Sequence, residues 1–316
     1  MSDVVIRAEA LTKRFVTGTL RRRSVEAVAD LTFEVRRGEI FAFLGPNGAG
    51  KTTTLNLLMG FLKPTRGRAF VLGHPAGAVA ARRRIGYLPE GYALYAAFTA
   101  PRLLDVFGRF FRLPTAERRT RIERLLKDFD LWSARVLPIG RYSRGMRQCL
   151  GLVQALLNDP ELLILDEPTS GLDPRGRRMV RELLSQYRAR GATVFLCSHI
   201  LSEVEAICDR VAIVDRGRIV REGPLKEIIG RDRGYEIRFA QVESSTLDHL
   251  RALGVNVELA GGEFRTFVSE ESLAQQVVDL VRGNGGVLKA YLPTTHTLEE
   301  VFLELTGRHL VPSKDS

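Results

Sequence analysis

Three short stretches carry side chains suited to phosphate chemistry. Residues 45–52 read GPNGAGKT and fit G-x-x-x-x-G-K-[ST], after the strand-like IFAFLG and before the apolar helical run TTLNLLMG. Glycines there let consecutive amides converge on a β-phosphate at a helix N-terminus. The cradle comprises Gly45, Pro46, Asn47, Gly48, Ala49, Gly50, Lys51, Thr52 and Thr53. Lys51 would neutralise the β and γ oxygens, and Thr52 would hold Mg²⁺ through its hydroxyl. In LLILDEP, Asp166 emerges from a buried apolar strand as the second metal contact, and Glu167 is placed to orient and deprotonate an attacking water. His199 follows another apolar strand, TVFLCS, and a parallel sheet would bring it to the same edge to bond the γ-phosphate or the water. The chemistry implied is Mg²⁺-assisted transfer of a nucleotide's terminal phosphoryl group to water.

These residues need a frame. Short apolar strands at 40–45, 162–166, 193–198 and 210–215 alternate with helical patterns, which argues an α/β core with a mainly parallel sheet. Between about 90 and 157 no good strand appears. Ile122, Leu125, Leu126 and Phe129 recur there at helical spacing, so an inserted helical subdomain is expected. Glycine and charge break the pattern near residue 230. The order beyond it is strand, helix, strand, strand, helix, strand, a ferredoxin-like arrangement, and then a last helix. Thr297 and Glu300 stand in capping-box spacing at that helix, with Leu298, Val301, Phe302 and Leu305 on its apolar side. The expected domains are 1–230 and a small α+β domain at 231–316.

Bulk properties narrow the class. The chain has 316 residues, 45% of them hydrophobic, and no apolar run reaches the length of roughly 18 residues that a membrane-spanning helix needs. The start, MSDVVIRAEA, lacks the basic and apolar segments of a secretory signal. Cys149, Cys197 and Cys208 lie in apolar contexts that suit buried packing thiols. The net charge of +10 is uneven. Residues 231–316 hold nine basic and thirteen acidic side chains, net −4, so the first 230 carry +14. Such a surface suits nucleotide, nucleic acid or anionic lipid headgroups, or is simply a solvated basic face.

A further stretch, YSRGMRQ at 142–148, is cationic and precedes an apolar helical run. Taken with GPNGAGKTT, LLILDEP, SGLD and SH in this order and spacing, it makes residues 1–230 resemble the ATP-binding cassette (ABC) ATPases. The resemblance implies a P-loop NTPase core of ABC type, with YSRGMRQ at the signature position and Ser143 and Gly145 matching its best-defined places. Ser143 and the following amides would meet the γ-phosphate held by another subunit, so two copies, or this chain and a related cassette, would close head to tail about a twofold axis. Asp173 falls in the loop that lies at that seam in the family. It also suits an ordinary helix N-cap before Pro174. Phe15 stands where the family stacks a ring on adenine, though a strand-core role would suit it equally. Glu90 replaces the glutamine that usually contacts magnesium, and Arg144 and Met146 replace a glycine and a glutamine of the consensus signature.

YLPE, YSRGMRQ and the terminal TLEEVFLELTG resemble the exporter branch serving drug, lipid or polysaccharide efflux, whose membrane domain is commonly a separate polypeptide. The resemblance implies a separate transmembrane permease partner and peripheral association at the cytoplasmic face of the membrane, with no nucleic acid expected. GYALYAAFTAP, just after Glu90, is the expected docking surface for that partner, and LRRR at 20–23 the tip of a solvated hairpin. The alternative is a soluble ABC ATPase acting on nucleic acid or ribosomes. It is favoured by the basic first domain. The 91-residue spacing of Lys51 and Tyr142, which leaves no room for a long coiled-coil insertion, opposes it.

Overall fold

The structure is a computed structural model and describes residues 3–17, 23–91, 95–230, 234–294 and 297–307. Its largest sheet runs in the spatial order Arg218–Pro224, Arg210–Asp215, Ile40–Leu44, Thr193–Ser198, Leu162–Asp166 and Ile85–Leu88. All neighbours are parallel except the first pair, an antiparallel hairpin. Strands Ile40–Leu44, Leu162–Asp166 and Thr193–Ser198 are buried at every position, as continuous apolar runs covered on both faces must be. Register aligns their ends: Leu44 pairs with Ser198, and Asp166 with Cys197. The backbones entering Gly45, Glu167 and His199 therefore leave the sheet at one edge.

A second sheet was not part of the sequence expectation. Arg23–Arg36, Val4–Thr17, Arg66–Val71 and His74–Pro75 form a four-stranded antiparallel sheet in that spatial order. Its alternation is plain in Leu31, Phe33 and Val35, all buried. It slips between Ala8 and Leu11, where the register shifts and Ala10 takes φ +49°. Phe33 of this sheet meets Phe41, Phe43 and Phe195 of the parallel sheet with ring centroids 5.6 to 6.0 Å apart, which places the core between the two sheets. Such pairs add about 0.5–1.5 kcal/mol each to the burial of the rings themselves.

The inserted segment is helical: Ala100–Phe110, Thr115–Asp128, a 3-10 turn at Ile139–Arg141, and Arg144–Leu156. Ile122, Leu125, Leu126 and Phe129 are buried, as their spacing requires. Arg118 is buried with them. It donates to Asp105 Oδ1 at 2.5 Å and to the Leu113 carbonyl at 2.8 Å, which compensates its desolvation. All three cysteines are buried and free.

The chain divides into two compact units, Met1–Leu225 together with Phe302–Ser316, and Lys226–Val301. The division falls a few residues before the break read near 230 and again within the last helix, Leu298–Thr306, instead of running to residue 316. The second unit has the strand order Val257–Ala260, Glu263–Val268, Gly234–Ala240, Val287–Thr294, antiparallel throughout. Helices Ser244–Ala252 and Glu271–Gly283 supply Leu250, Val277 and Val281 to a core around Ile237 and Phe239. This is the ferredoxin-like arrangement. The Thr297 amide donates to Glu300 Oε2 at 3.1 Å and the Glu300 amide to Thr297 Oγ1 at 3.2 Å, a reciprocal cap.

Candidate nucleotide site

Strand Ile40–Leu44 delivers the chain into a loop that turns through Pro46 to Ala49, whose amide donates to the Pro46 carbonyl at 3.1 Å. Helix Lys51–Leu58 follows with no side-chain cap. Gly50 at its N-cap has φ +101°, and a β-carbon there would lie 2.3 Å from the Ala27 carbonyl oxygen. No other residue fits. Asn47 and Gly48 face outward, while Pro46 and Ala49 are buried. The first amides of the helix have no intrahelical acceptor and form the positive end of its dipole, the place a phosphate would take. Lys51 is buried, its ammonium held by the Gly45 and Pro46 carbonyls at 2.6 and 3.2 Å. It closes the loop on itself.

Two polar pairs stand at the sheet edge. Thr52 Oγ1 donates to Asp166 Oδ2 at 3.1 Å. Asp166 is 2% exposed, and burial pushes its carboxyl up to about 6, against the Thr52 hydrogen bond and with Glu90 and Glu167 adding to the rise. The second pair joins His199 Nδ1 to Glu167 Oε2 at 2.8 Å. This hydrogen bond holds the imidazole above its ordinary pKa, against burial. Glu167 is buried and takes the left-handed conformation, φ +50°, which costs a side chain of this kind about 1–3 kcal/mol. Its amide donates to the Cys197 carbonyl at 2.9 Å. Gln148 of the signature helix donates through Nε2 to the carbonyls of Glu167 at 3.0 Å and Pro168 at 3.1 Å. Sequence reasoning missed this clamp, because nothing in a helical pattern says which loop a glutamine will meet.

The remaining candidates lie around these pairs. Glu90 is exposed just past strand Ile85–Leu88, with its charge felt at both Asp166 and His199. Ser143 is exposed and caps helix Arg144–Leu156, its Oγ accepting from the Met146 amide at 3.1 Å. Gly145 packs tightly on its own chain's loop, where a β-carbon would stand 3.3 Å from the Gly171 carbonyl. Arg144 lies over Gly171 and reaches Ser170 Oγ at 3.5 Å. Asp173 caps helix Pro174–Ala189 by accepting from the Gly176 amide at 2.7 Å, with Pro174 opening the helix. Phe15 is half-buried with the Lys13 ammonium 5.2 Å from its ring centre, outside the buried core cluster. Tyr92 and residues 20–22 lie outside the described residues, whereas Tyr95 is 68% exposed.

The residues fit a magnesium nucleotide. Among the described residues no group of three or more His, Cys, Asp or Glu side chains forms a metal cage. Mg²⁺ does not ask for one, since it takes one or two protein oxygens and completes its octahedron with phosphates and water. A hydroxyl and a buried carboxylate already in contact, Thr52 and Asp166, supply such a pair.

A strand–glycine loop–helix cradle at the edge of a parallel sheet, with acids at the neighbouring strand ends, defines a P-loop nucleoside triphosphatase. A family profile described as ABC transporter matches residues 28–170. An uncharacterized ABC transporter ATP-binding protein of Synechocystis sp. is 43% identical over 235 residues, which cover 74% of this chain and 66% of that protein. The Nod factor export ATP-binding protein I of Ralstonia nicotianae is 36% identical over 303 residues, 93% of this chain and 94% of its own. A solved ATP-binding subunit of an ABC transporter superposes with a TM-score of 0.63 at 33% identity, over 71% of this chain and 91% of that one. The chain belongs to the ABC transporter ATP-binding proteins.

Proposed function

We propose that this chain is the ATP-hydrolysing subunit of an exporter, working on a separate transmembrane subunit through head-to-tail closure of two cassettes. The observation that carries the catalytic reading is the meeting of Thr52–Asp166 and Glu167–His199 at one sheet edge. Amides of residues 48–53 and the Lys51 ammonium bind and orient the triphosphate. Glu167 accepts the proton of the attacking water. His199 holds the Glu167 carboxylate in place and positions it toward the γ-phosphate. Thr52 and Asp166, with Glu90 near Asp166, would hold Mg²⁺, whose positive charge would neutralise the phosphate oxygens when bound.

Closure is inferred from what one chain offers: one cradle, and one exposed Ser143 at the N-terminus of a 13-residue helix. A second copy would complete both sites. Export is supported by the Nod factor export relatives, which align along nearly their whole length. Among the described residues no helix is long and apolar enough to cross a membrane, in keeping with a subunit that sits peripherally at the cytoplasmic face beside a separate permease. The segment around Tyr95 is the proposed docking surface. Tyr95→Asp should abolish co-purification with the transmembrane subunit, and undiminished co-purification would exclude it.

The test of the catalytic reading is Glu167→Gln. It should lower turnover by about 10²–10⁴-fold and leave an ATP-bound dimer that survives gel filtration. Unaltered hydrolysis would remove Glu167 from the base role.

A further inference from the structure

The helical segment holds a cleft of about 1140 Å³ between helices Ala100–Phe110 and Thr115–Asp128 and the loop at 131–136. None of the nucleotide-site residues lines it. Its walls carry five arginines, at 102, 109, 118, 119 and 135, against two acids. Both acids are already paired. Asp105 accepts from Arg109 at 2.8 Å and from the buried Arg118 at 2.5 Å, and Glu123 accepts from Lys127 at 2.7 Å. Arg102, Arg119 and Arg135 have no carboxylate partner among the described residues. Two of the three are steadied by aromatic rings: the Arg102 guanidinium lies 4.7 Å from the Phe98 centroid and Arg135 lies 4.3 Å from that of Trp132.

A second feature surrounds the same cleft. Phe110 is 76% exposed and Val136 68%, with Val106 and Leu137 also open to solvent. Val106 and Phe110 share the helix face of Arg102 by i,i+4 spacing. Cations without a carboxylate partner, Arg135 keeping one hydrogen bond to the Trp132 carbonyl at 2.8 Å, would suit any acidic ligand, but cations interleaved with exposed apolar side chains and a tryptophan suit a bilayer boundary. There, guanidinium groups take phosphates as paired hydrogen bonds and apolar side chains enter the acyl layer.

We infer that this face of the helical segment binds the headgroups of anionic phospholipids, with Arg102, Arg119 and Arg135 on phosphate and Phe110 and Val136 in the apolar boundary. It is a property of the isolated chain and stands apart from the hydrolytic reading; Thr99 and Pro101 of the cleft belong to the segment proposed to meet the permease, so a docked permease would compete with lipid at this edge.

The experiment is co-sedimentation of the full chain with vesicles of phosphatidylcholine alone and of phosphatidylcholine mixed with phosphatidylglycerol. Binding is expected only to the mixed vesicles, and it should weaken as salt rises. The R102A/R119A/R135A variant should bind about a hundredfold more weakly, since each basic side chain near the surface contributes roughly a factor of five. Its nucleotide binding, measured in parallel, should match the parent and so report intact folding. Phe110→Ser with Val136→Ser, which keeps every charge, should also bind more weakly. Equal binding to both vesicle types would overturn the inference, as would undiminished binding by either variant. So would failure to bind vesicles with capture of polyglutamate or RNA instead, because the cleft would then be a docking site for an acidic polymer.

Discussion

The two halves of the nucleotide machinery are built differently. At the sheet edge Lys51, Asp166, Glu167 and His199 are buried or half-buried and already partnered within the chain: Lys51 with its loop carbonyls, Asp166 with Thr52, Glu167 with His199. At the signature, Ser143 and Arg144 are exposed, Ser143 accepting from the Met146 amide and Arg144 reaching Ser170 of the adjacent loop. The buried half is preorganised in one chain, where low dielectric strengthens each contact. On the proposed reading, the exposed half is the surface that a second cassette would meet. Gln148 links them, because its Nε2 ties helix Arg144–Leu156 to the carbonyls of Glu167 and Pro168.

The contrast can be broken from either side. Beyond Glu167→Gln, the largest effect expected at the buried half is on stability. The Asp166 carboxyl binds its proton more tightly folded than unfolded. Its contribution is therefore complete below about pH 4 and lost as pH rises through about 6. Asp166→Asn should therefore stabilise the metal-free, nucleotide-free protein by about 3 kcal/mol in urea unfolding at pH 7.5, and by little at pH 4, while abolishing Mg²⁺-dependent hydrolysis. A destabilised Asn variant at neutral pH would show that the buried charge is compensated.

The link should matter next. Gln148→Ala removes the side-chain donor to the Pro168 carbonyl and one of two donors to the Glu167 carbonyl, which keeps the Ser170 amide; the loosened loop should lower turnover about tenfold with little change in KM. Gln148→Glu, which cannot donate from that position when ionised, should do no better. Smallest of all is Glu90→Gln, expected to keep turnover within about threefold, because an amide oxygen remains a possible Mg²⁺ ligand and the change removes one negative charge near Asp166. Total loss of activity there would make the carboxylate indispensable.

What the sequence revealed follows the same division. The phosphate loop was legible because its glycines, lysine and threonine are contiguous and sit between a strand and a helix. Asp166, Glu167 and His199 were legible because parallel strands end at one edge, so three separate apolar runs point to one place. The capping box at Thr297 and the cap at Asp173 were legible from local spacing. Illegible were contacts set by packing between distant elements: Gln148 on Glu167, Arg144 over Gly171, and Arg118 buried on Asp105. The antiparallel sheet escaped because its bulge shifts the alternation midway, as Ala10 and Asp30 with positive φ record.

The central claim is that the buried half cannot finish hydrolysis until the exposed half of another chain meets it. Its most direct test is ATP turnover per chain as a function of protein concentration, with oligomeric state followed by analytical ultracentrifugation in the same samples. Turnover should rise with the fraction of dimer, approaching proportionality to the square of concentration where monomer dominates if expressed as total rate, and plateau once dimer prevails. A rate per chain that stays constant down to concentrations where only monomer sediments would contradict it.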